Sequence, residues 1–323
     1  MAICVESGLR PRYVDGQTVE DDLEIIGVGA EGYVLLVSPD AVLKIPRMDF
    51  NPNDSYRDDD SIATFEHEKA VYKQLGDIPG VARCLDTSPR GITLEYYDGG
   101  DLYTYIYLQP EVCLNQKRRW ILQLLDAVGG CHRARVFNID IQPQNLVIAN
   151  DSTLRMIDFT QAIIFPEGTD MEQVVDDLNY SMRIELFNLG CLIYSIMSWT
   201  NYYNDWNYVL QPWPDRASLP STVGLPYGTL IEACWYGLYR NTEGIIQDLA
   251  RPRSRRKRKR KIQTANKLRS KASPIVSGRS MEPDDKTSIA LISVPTVPVT
   301  LWNSSHGQLG CTSLQPSGAS MTS

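Results

Sequence analysis

Histidine is scarce in this sequence, with three residues in 323, at positions 67, 132 and 306. The seven cysteines (4, 84, 113, 131, 191, 234 and 311) contain no C-x-x-C pair, so the spacings of a structural zinc site are missing. Their odd number and wide scatter also exclude a disulfide scaffold and predict a reduced, intracellular compartment. Long apolar runs are lacking too. The longest, Leu186 to Trp199, includes Asn188 and falls short of the roughly 20 residues that cross a bilayer, so it predicts a buried helix and no membrane partner. The start, MAICVESGLRPRYVDG, has no basic stretch followed by an apolar one and does not resemble a signal peptide. The sequons at Asn53, Asn150, Asn179 and Asn303 are then chance matches. No internal repeat is visible.

Basic residues are few over most of the chain and concentrated at its end. The formal charge of −7 is the sum of residues 1–250, with 18 Lys/Arg against 36 Asp/Glu, and residues 251–323, with 14 against 3. An acidic body thus meets a basic tail. The body, with 43% hydrophobic and 22% charged residues overall, has the composition of a soluble globular protein. The tail opens with the run Arg251 to Lys261 and holds 13 serines, 6 prolines and one aromatic, Trp302, over residues 251–323. That composition predicts disorder. For the run itself, nuclear import, nucleic-acid contact and docking on the acidic body stand side by side.

Periodicity predicts strands first and helices after. Val34 to Val37, a Ser38-Pro39-Asp40 turn and Ala41 to Ile45 read as an antiparallel pair. Ser61 to Leu75 has helical spacing and ends at Gly76, a C-cap signal. Ile92 to Tyr97 reads as a strand. Asn115 to Arg135 reads as a long helix weakened by Gly129 and Gly130, each by about 1 kcal/mol. Short strands follow near Leu146–Ile148 and Arg155–Ile157, then helices over Glu185–Trp199 and Leu230–Ala250.

Gly27-Val-Gly29-Ala-Glu-Gly32-Tyr-Val34 is a G-x-G-x-x-G-x-V sequence. A dinucleotide-binding loop shares its first six positions but opens a helix; here strand residues follow, with Lys44 ten positions after Val34. In that context the backbone N–H groups of a glycine hairpin approach nucleotide phosphates, and a lysine on the next strand reaches them. A plain surface hairpin with a solvated lysine is the competing reading. Glu68, on the following helix, is the expected partner of Lys44, with Glu66 as the competing choice. A second constellation is Asp140, Gln142 and Asn145, followed thirteen residues later by Asp158-Phe159-Thr160. Phosphoryl transfer needs a carboxylate to orient the attacking hydroxyl, and a carboxylate plus an amide oxygen to hold Mg²⁺. Asp140, Asp158 and Asn145 supply these in the right order.

With these pieces the chain resembles the eukaryotic protein kinase family over roughly residues 20 to 250, in style most similar to small fungal kinase-like proteins. The resemblance implies an α+β, two-lobed fold. Its parts are an extension at 1–20, an N-lobe of antiparallel sheet plus one helix at 21–97, a mainly helical C-lobe at 98–250, and the tail at 251–323. It implies ATP and Mg²⁺ as cofactors and a protein Ser/Thr hydroxyl as acceptor. Leu94 resembles the gatekeeper of a hinge in which Glu95 and Tyr97 offer backbone groups to adenine and Asp101 lies near the ribose. Glu185-Leu-Phe-Asn-Leu-Gly190 resembles the family's D-x-[WF]-S-x-G helix start, and Cys234-Trp235 with Arg240 its late C-W…R motif.

Four departures bear on activity. Asn138 and Ile139 replace the histidine and arginine before the catalytic aspartate, so phosphorylation of Thr160, Thr169 or Tyr180 is not expected to activate. Gln142 replaces the loop lysine and loses a charge that would stabilise the transferring phosphate. Thr160 replaces the glycine after Asp158-Phe159, restricting the backbone there. The segment from Asp158 to Glu185 is short and acidic and lacks A-P-E, leaving Glu172 as a loose substitute to pair with Arg240. His132 reads as structural, and Asp58-Asp59-Asp60 and Asp176-Asp177 as solvated loops. Two other functions compete with protein phosphorylation: a pseudokinase binding module, and a small-molecule kinase of the aminoglycoside or choline type.

Overall fold

The computed structural model describes residues 11–29, 31–48, 55–204 and 206–250. The tail, with its expected disorder, therefore lies outside the described residues. The first lobe is a five-stranded antiparallel sheet of β1 (Glu24–Val28), β2 (Gly32–Ser38), β3 (Ala41–Pro46), β4 (Cys84–Thr87) and β5 (Ile92–Glu95), in the order β1-β2-β3-β5-β4. One helix, α1 (Ser55–Leu75), packs on it. The second lobe carries α2 (Leu102–Leu108), α3 (Leu114–Arg133), α4 (Met182–Ser198), α5 (Gly228–Trp235) and α6 (Thr242–Ala250). Two small antiparallel pairs sit under the cleft: β6 (Val136–Asn138) with β9 (Ala162–Ile164), and β7 (Leu146–Ile148) with β8 (Leu154–Met156). This is the α+β, two-lobed architecture expected from the sequence.

Strand alternation explains how the sheet aims its lysine. On β3, Val42 faces the large core shared with Ile92 and Leu94, whereas Ile45 faces a smaller one with Leu35, Tyr33, Tyr13 and Val19. With a side-chain period of two, Lys44 falls on the Val42 face, toward α1. Tyr13 and Val19 are buried, with the Arg90 guanidinium 4.4 Å from the Tyr13 ring centroid. Residues 11–20 therefore close one face of the sheet, and the expected boundary at residue 20 does not separate an extension from the lobe.

Helix α1 begins at Ser55, earlier than the predicted Ser61, so the backbone of Asp58-Asp59-Asp60 is helical and the expected loop there is corrected. Gly76, at φ 61°, ends it. In α3 the two glycines are explained by close approach. A Cβ on Gly129 would lie 2.7 Å from Thr242 Oγ1, and one on Gly130 only 2.4 Å from Ile78 Cγ2. What propensity counts as a cost lets α6 and the 77–81 connection pack against the helix. The helices predicted over 230–250 are α5 and α6, separated by a turn that holds Gly237 at φ 61°.

Candidate active site

Lys44 Nζ donates to Glu68 Oε1 at 2.9 Å and lies 2.8 Å from Oε2, with Glu68 wholly buried. Glu66 instead takes Lys69 on the helix surface at 2.7 Å, which settles the choice between the two glutamates. Lys44 also reaches Asp158 Oδ1 at 3.1 Å. Burial works against its charge, but the carboxylates of Asp158 and Glu68 more than compensate and raise its pKa. Glu68 Oε1 further accepts the Phe159 N–H at 3.1 Å, tying α1 to the turn after β8. Phe159 is fully buried and meets Tyr72 of α1 edge-on, with ring centroids 5.4 Å apart.

Asp158 has φ 62°, a left-handed backbone that a non-glycine residue adopts only when its surroundings enforce it. Thr160, expected as a restriction, contributes chemistry. Its hydroxyl donates to Asp158 Oδ1 at 2.8 Å and its N–H at 3.4 Å. Although burial opposes ionisation, the Lys44 charge and these bonds hold the Asp158 carboxyl below its ordinary range.

The second centre is the loop between β6 and β7. Asp140 Oδ1 accepts from Gln142 Nε2 at 2.7 Å, and its Oδ2 from Asn145 Nδ2 at 2.7 Å. Asn145 Nδ2 also donates to the Asp140 carbonyl at 3.0 Å. Burial, reinforced by the charge of Asp158, raises the Asp140 pKa against the two amide bonds. The loop is pinned from below by Glu185 and Asn188 of the α4 start and by Tyr180 before it. Glu185, wholly buried at the start of α4, accepts the Asn138 N–H at 2.7 Å and is paired with His132 Nε2. Tyr180, also wholly buried, donates its hydroxyl to the Asn138 carbonyl at 3.2 Å, and Asn188 Nδ2 donates to the Ile139 carbonyl at 3.4 Å. His132 is thereby structural, as expected. The role of Tyr180 was missed; an aromatic after an Asp-x-x-Asn turn is its only sequence signal.

The glycine loop closes through Gly29 N–H to the Gly32 carbonyl at 2.8 Å; Ala30 lies outside the described residues. Gly27 pairs with Val34 across β1 and β2, and a Cβ on Gly32 would come within 2.5 Å of the Ile45 carbonyl oxygen. Leu94 is buried on β5, the Glu95 N–H donates to the Arg83 carbonyl at 2.9 Å, and the Tyr97 hydroxyl donates to Glu95 Oε2 at 3.3 Å. Asp101 Oδ1 accepts the Thr104 N–H at 2.8 Å and its Oδ2 the Thr104 hydroxyl at 2.7 Å, so it is the buried N-cap of α2. The pairing of Glu172 with Arg240 is corrected: Glu172 Oε1 accepts from Asn241 Nδ2 at 2.6 Å, and Arg240 is exposed.

The donor set fits a hard divalent cation. Asn145 uses its amide nitrogen on Asp140, which leaves its carbonyl oxygen for a metal, and Asp158 has Oδ2 clear of Lys44 and Thr160. Among the described residues no group of three His, Cys, Asp or Glu could hold a metal, so bound phosphate oxygens would complete the shell.

A two-lobed fold with this polar cluster at its cleft defines a kinase-type scaffold. The family model for the protein kinase domain matches residues 21–209, and the chain belongs to the protein kinase family. It is 26% identical over 156 residues to the serine/threonine-protein kinase cds1 of Schizosaccharomyces pombe, covering 42% of this chain and 34% of that protein. To CBL-interacting protein kinase 1 of Oryza sativa subsp. japonica it is 28% identical over 162 residues, 49% of this chain and 33% of the relative. To the SNF1-like protein kinase ssp2 of Schizosaccharomyces pombe it is 25% identical over 161 residues, 49% and 28% respectively. The chain thus spans about a third of the length of these curated relatives. No helix of the described residues is long and apolar enough to cross a membrane.

Proposed function

We propose that this chain is a protein kinase that uses ATP and Mg²⁺ to phosphorylate Ser/Thr hydroxyls of protein substrates. The observation that carries the reading is the closed Lys44–Glu68 pair, in direct contact with Asp158. Bound MgATP supplies the transferable phosphoryl group and the charge neutralisation it needs. Lys44 offers a fixed cation to the phosphates, with the backbone of Gly27, Gly29 and Gly32 and the side chain of Val34 covering them. Leu94, Glu95 and Tyr97 border the base. Asn145 and Asp158 hold the metal. Asp140 orients the acceptor hydroxyl and takes its proton on the carboxylate; the raised pKa makes it a better base than an ordinary aspartate. The compartment this reading implies is intracellular, with the basic run at 251–261 serving nuclear import or contact with nucleic acid.

One observation favours a pseudokinase as the second reading. Gln142 turns its amide onto Asp140, so the catalytic loop presents no cation to a transferring phosphate. The test is transfer of labelled γ-phosphate to casein and to small-molecule acceptors, with Asp140→Ala as control and nucleotide binding measured in parallel. Transfer to protein that disappears in Asp140→Ala is expected. Transfer that survives it sinks the assignment, and binding without transfer supports the pseudokinase.

A further inference from the structure

The outer face of the first lobe's sheet carries apolar side chains that residues 11–20 cover like a strap. On β2, Val34 and Leu36 pack on the large core, whereas Tyr33 and Leu35 belong to the smaller one with Ile45, Tyr13 and Val19. Tyr33 stands between Gly32 and Val34 of the glycine loop, pairs with Val28 and Ile45 across the strands, and is buried. The loop is thus held by a side chain on the face turned away from Lys44. The strap has its own fold. Arg12 and Thr18 form an isolated bridge, the Tyr13 N–H donates to the Gln17 carbonyl at 2.9 Å, and Gly16 at φ 83° makes the turn.

Arg90, in the turn between β4 and β5, closes over it. Its guanidinium lies 4.4 Å from the Tyr13 ring centroid and 3.5 Å from both Asp15 Oδ2 and Glu20 Oε1, and it donates to Gln17 Oε1. The Tyr13 hydroxyl donates to Glu20 Oε2. Exposed ion pairs add little singly, but here they converge on one guanidinium together with a ring. The turn that carries Arg90 is itself fixed, since a Cβ on Gly91 would lie 2.3 Å from the Lys44 carbonyl oxygen. We propose that the 11–20 strap, clamped by Arg90, holds the glycine loop down over the ATP phosphates, with Tyr13 and Arg90 as positioning residues. Glycine-rich backbone has the most conformational freedom to lose, so such a loop depends on an outside hold to keep one form. Nucleotide affinity falls in proportion to the fraction of molecules in that form. The inference rests on the ATP reading above and extends it to residues on the opposite face of the sheet.

The test measures binding of MgATP and of adenosine to the full chain by calorimetry, for wild type, Tyr13→Ala, Tyr13→Phe and Arg90→Glu, with kcat and KM for ATP alongside. Adenosine lacks the phosphates that the loop covers, so it reports the base site alone. Tyr13→Ala is expected to weaken MgATP about five- to tenfold and adenosine by less than about twofold, with KM rising more than kcat falls. Tyr13→Phe keeps the ring under Arg90 and is expected to retain the wild-type ratio of the two affinities. Arg90→Glu sets like charges against Asp15 and Glu20 and leaves every buried apolar side chain in place; it is expected to move the ratio the same way, and it serves where Tyr13→Ala does not fold. Equal loss of both ligands, or an unchanged ratio in the variants, overturns the proposal and leaves the ATP reading standing. If wild type binds neither ligand, the ATP reading fails and amide hydrogen exchange alone decides. Faster exchange over 31–36 in Arg90→Glu than in wild type then supports the hold on the loop, and equal exchange overturns it.

Discussion

Gln142→Lys restores to the catalytic loop a charge it lacks, and the structure sets the size of the effect. The amide nitrogen of Gln142 is 2.7 Å from Asp140 Oδ1, so an ammonium on a lysine stem sits about as close. Two unit charges 4 Å apart interact by about 4 kcal/mol at an effective dielectric of 20 and about 1 kcal/mol in bulk water. The loop is partly solvated, so roughly 1–2 kcal/mol is the reasonable range. Two consequences separate cleanly. The transition state, with negative charge spreading over the phosphoryl oxygens, gains about that amount, a rise of roughly tenfold in kcat. The pKa of Asp140, which burial and Asp158 hold above the ordinary aspartate value, drops back toward it beside the new ammonium. Only its ionised form accepts the proton, so activity is lost as pH falls through that pKa, and the acidic limb of kcat/KM moves to lower pH in the variant. Initial rates of phosphate transfer between pH 4.5 and 8 for wild type, Gln142→Lys and Gln142→Met measure both. Coincident limbs and rates for wild type and the lysine variant would refute the reasoning.

Lys44→Met strands the wholly buried Glu68 without its cation and lowers stability by about 3–5 kcal/mol in urea unfolding, while Lys44→Met with Glu68→Leu recovers most of the loss. Tyr180→Phe removes the hydrogen bond to the Asn138 carbonyl at the root of the catalytic loop; a loss of about 1–2 kcal/mol is expected, with kcat falling more than KM changes. Gly130→Ala drives a methyl group into Ile78 and costs about 1–3 kcal/mol by the same unfolding assay, against the gain that helix propensity alone would give.

The chemistry was legible where it depends on fixed spacing along the chain. The glycine loop, Lys44, Asp140, Asn145 and Asp158 could be singled out directly because each motif is local, and the structure brings Lys44 to Asp158 and Asn145 to Asp140. Glu68 was preferred over Glu66 because Glu68-Lys-Ala-Val resembles the usual helix of this family, and the pair with Lys44 bears out that choice. What escaped depends on packing between distant segments. Strand β4 is mostly exposed and carries no alternating apolar pattern. Strands β6 and β9 are three residues each and gain their identity only by pairing with one another across 25 residues. Asp101 was placed near the ribose by resemblance, and its capping of α2 went unread although Asp101-Leu-Tyr-Thr104 is a helix start. Gly129 and Gly130 read as weak points because sequence shows the entropy lost in a helix and hides the neighbours that need the room.

Glu68 joins two bodies at once, binding Lys44 of the first lobe and the Phe159 N–H of the second. A motion that parts α1 from the Asp158–Phe159 turn breaks the Phe159 bond and the Lys44–Asp158 contact together and leaves Glu68 with Lys44 alone. Partial opening gains little, since the cost falls due at the first ångström of separation. Lys44 and Glu68 thus act as one unit that holds α1 and β3 against the Asp158–Phe159 turn of the second lobe.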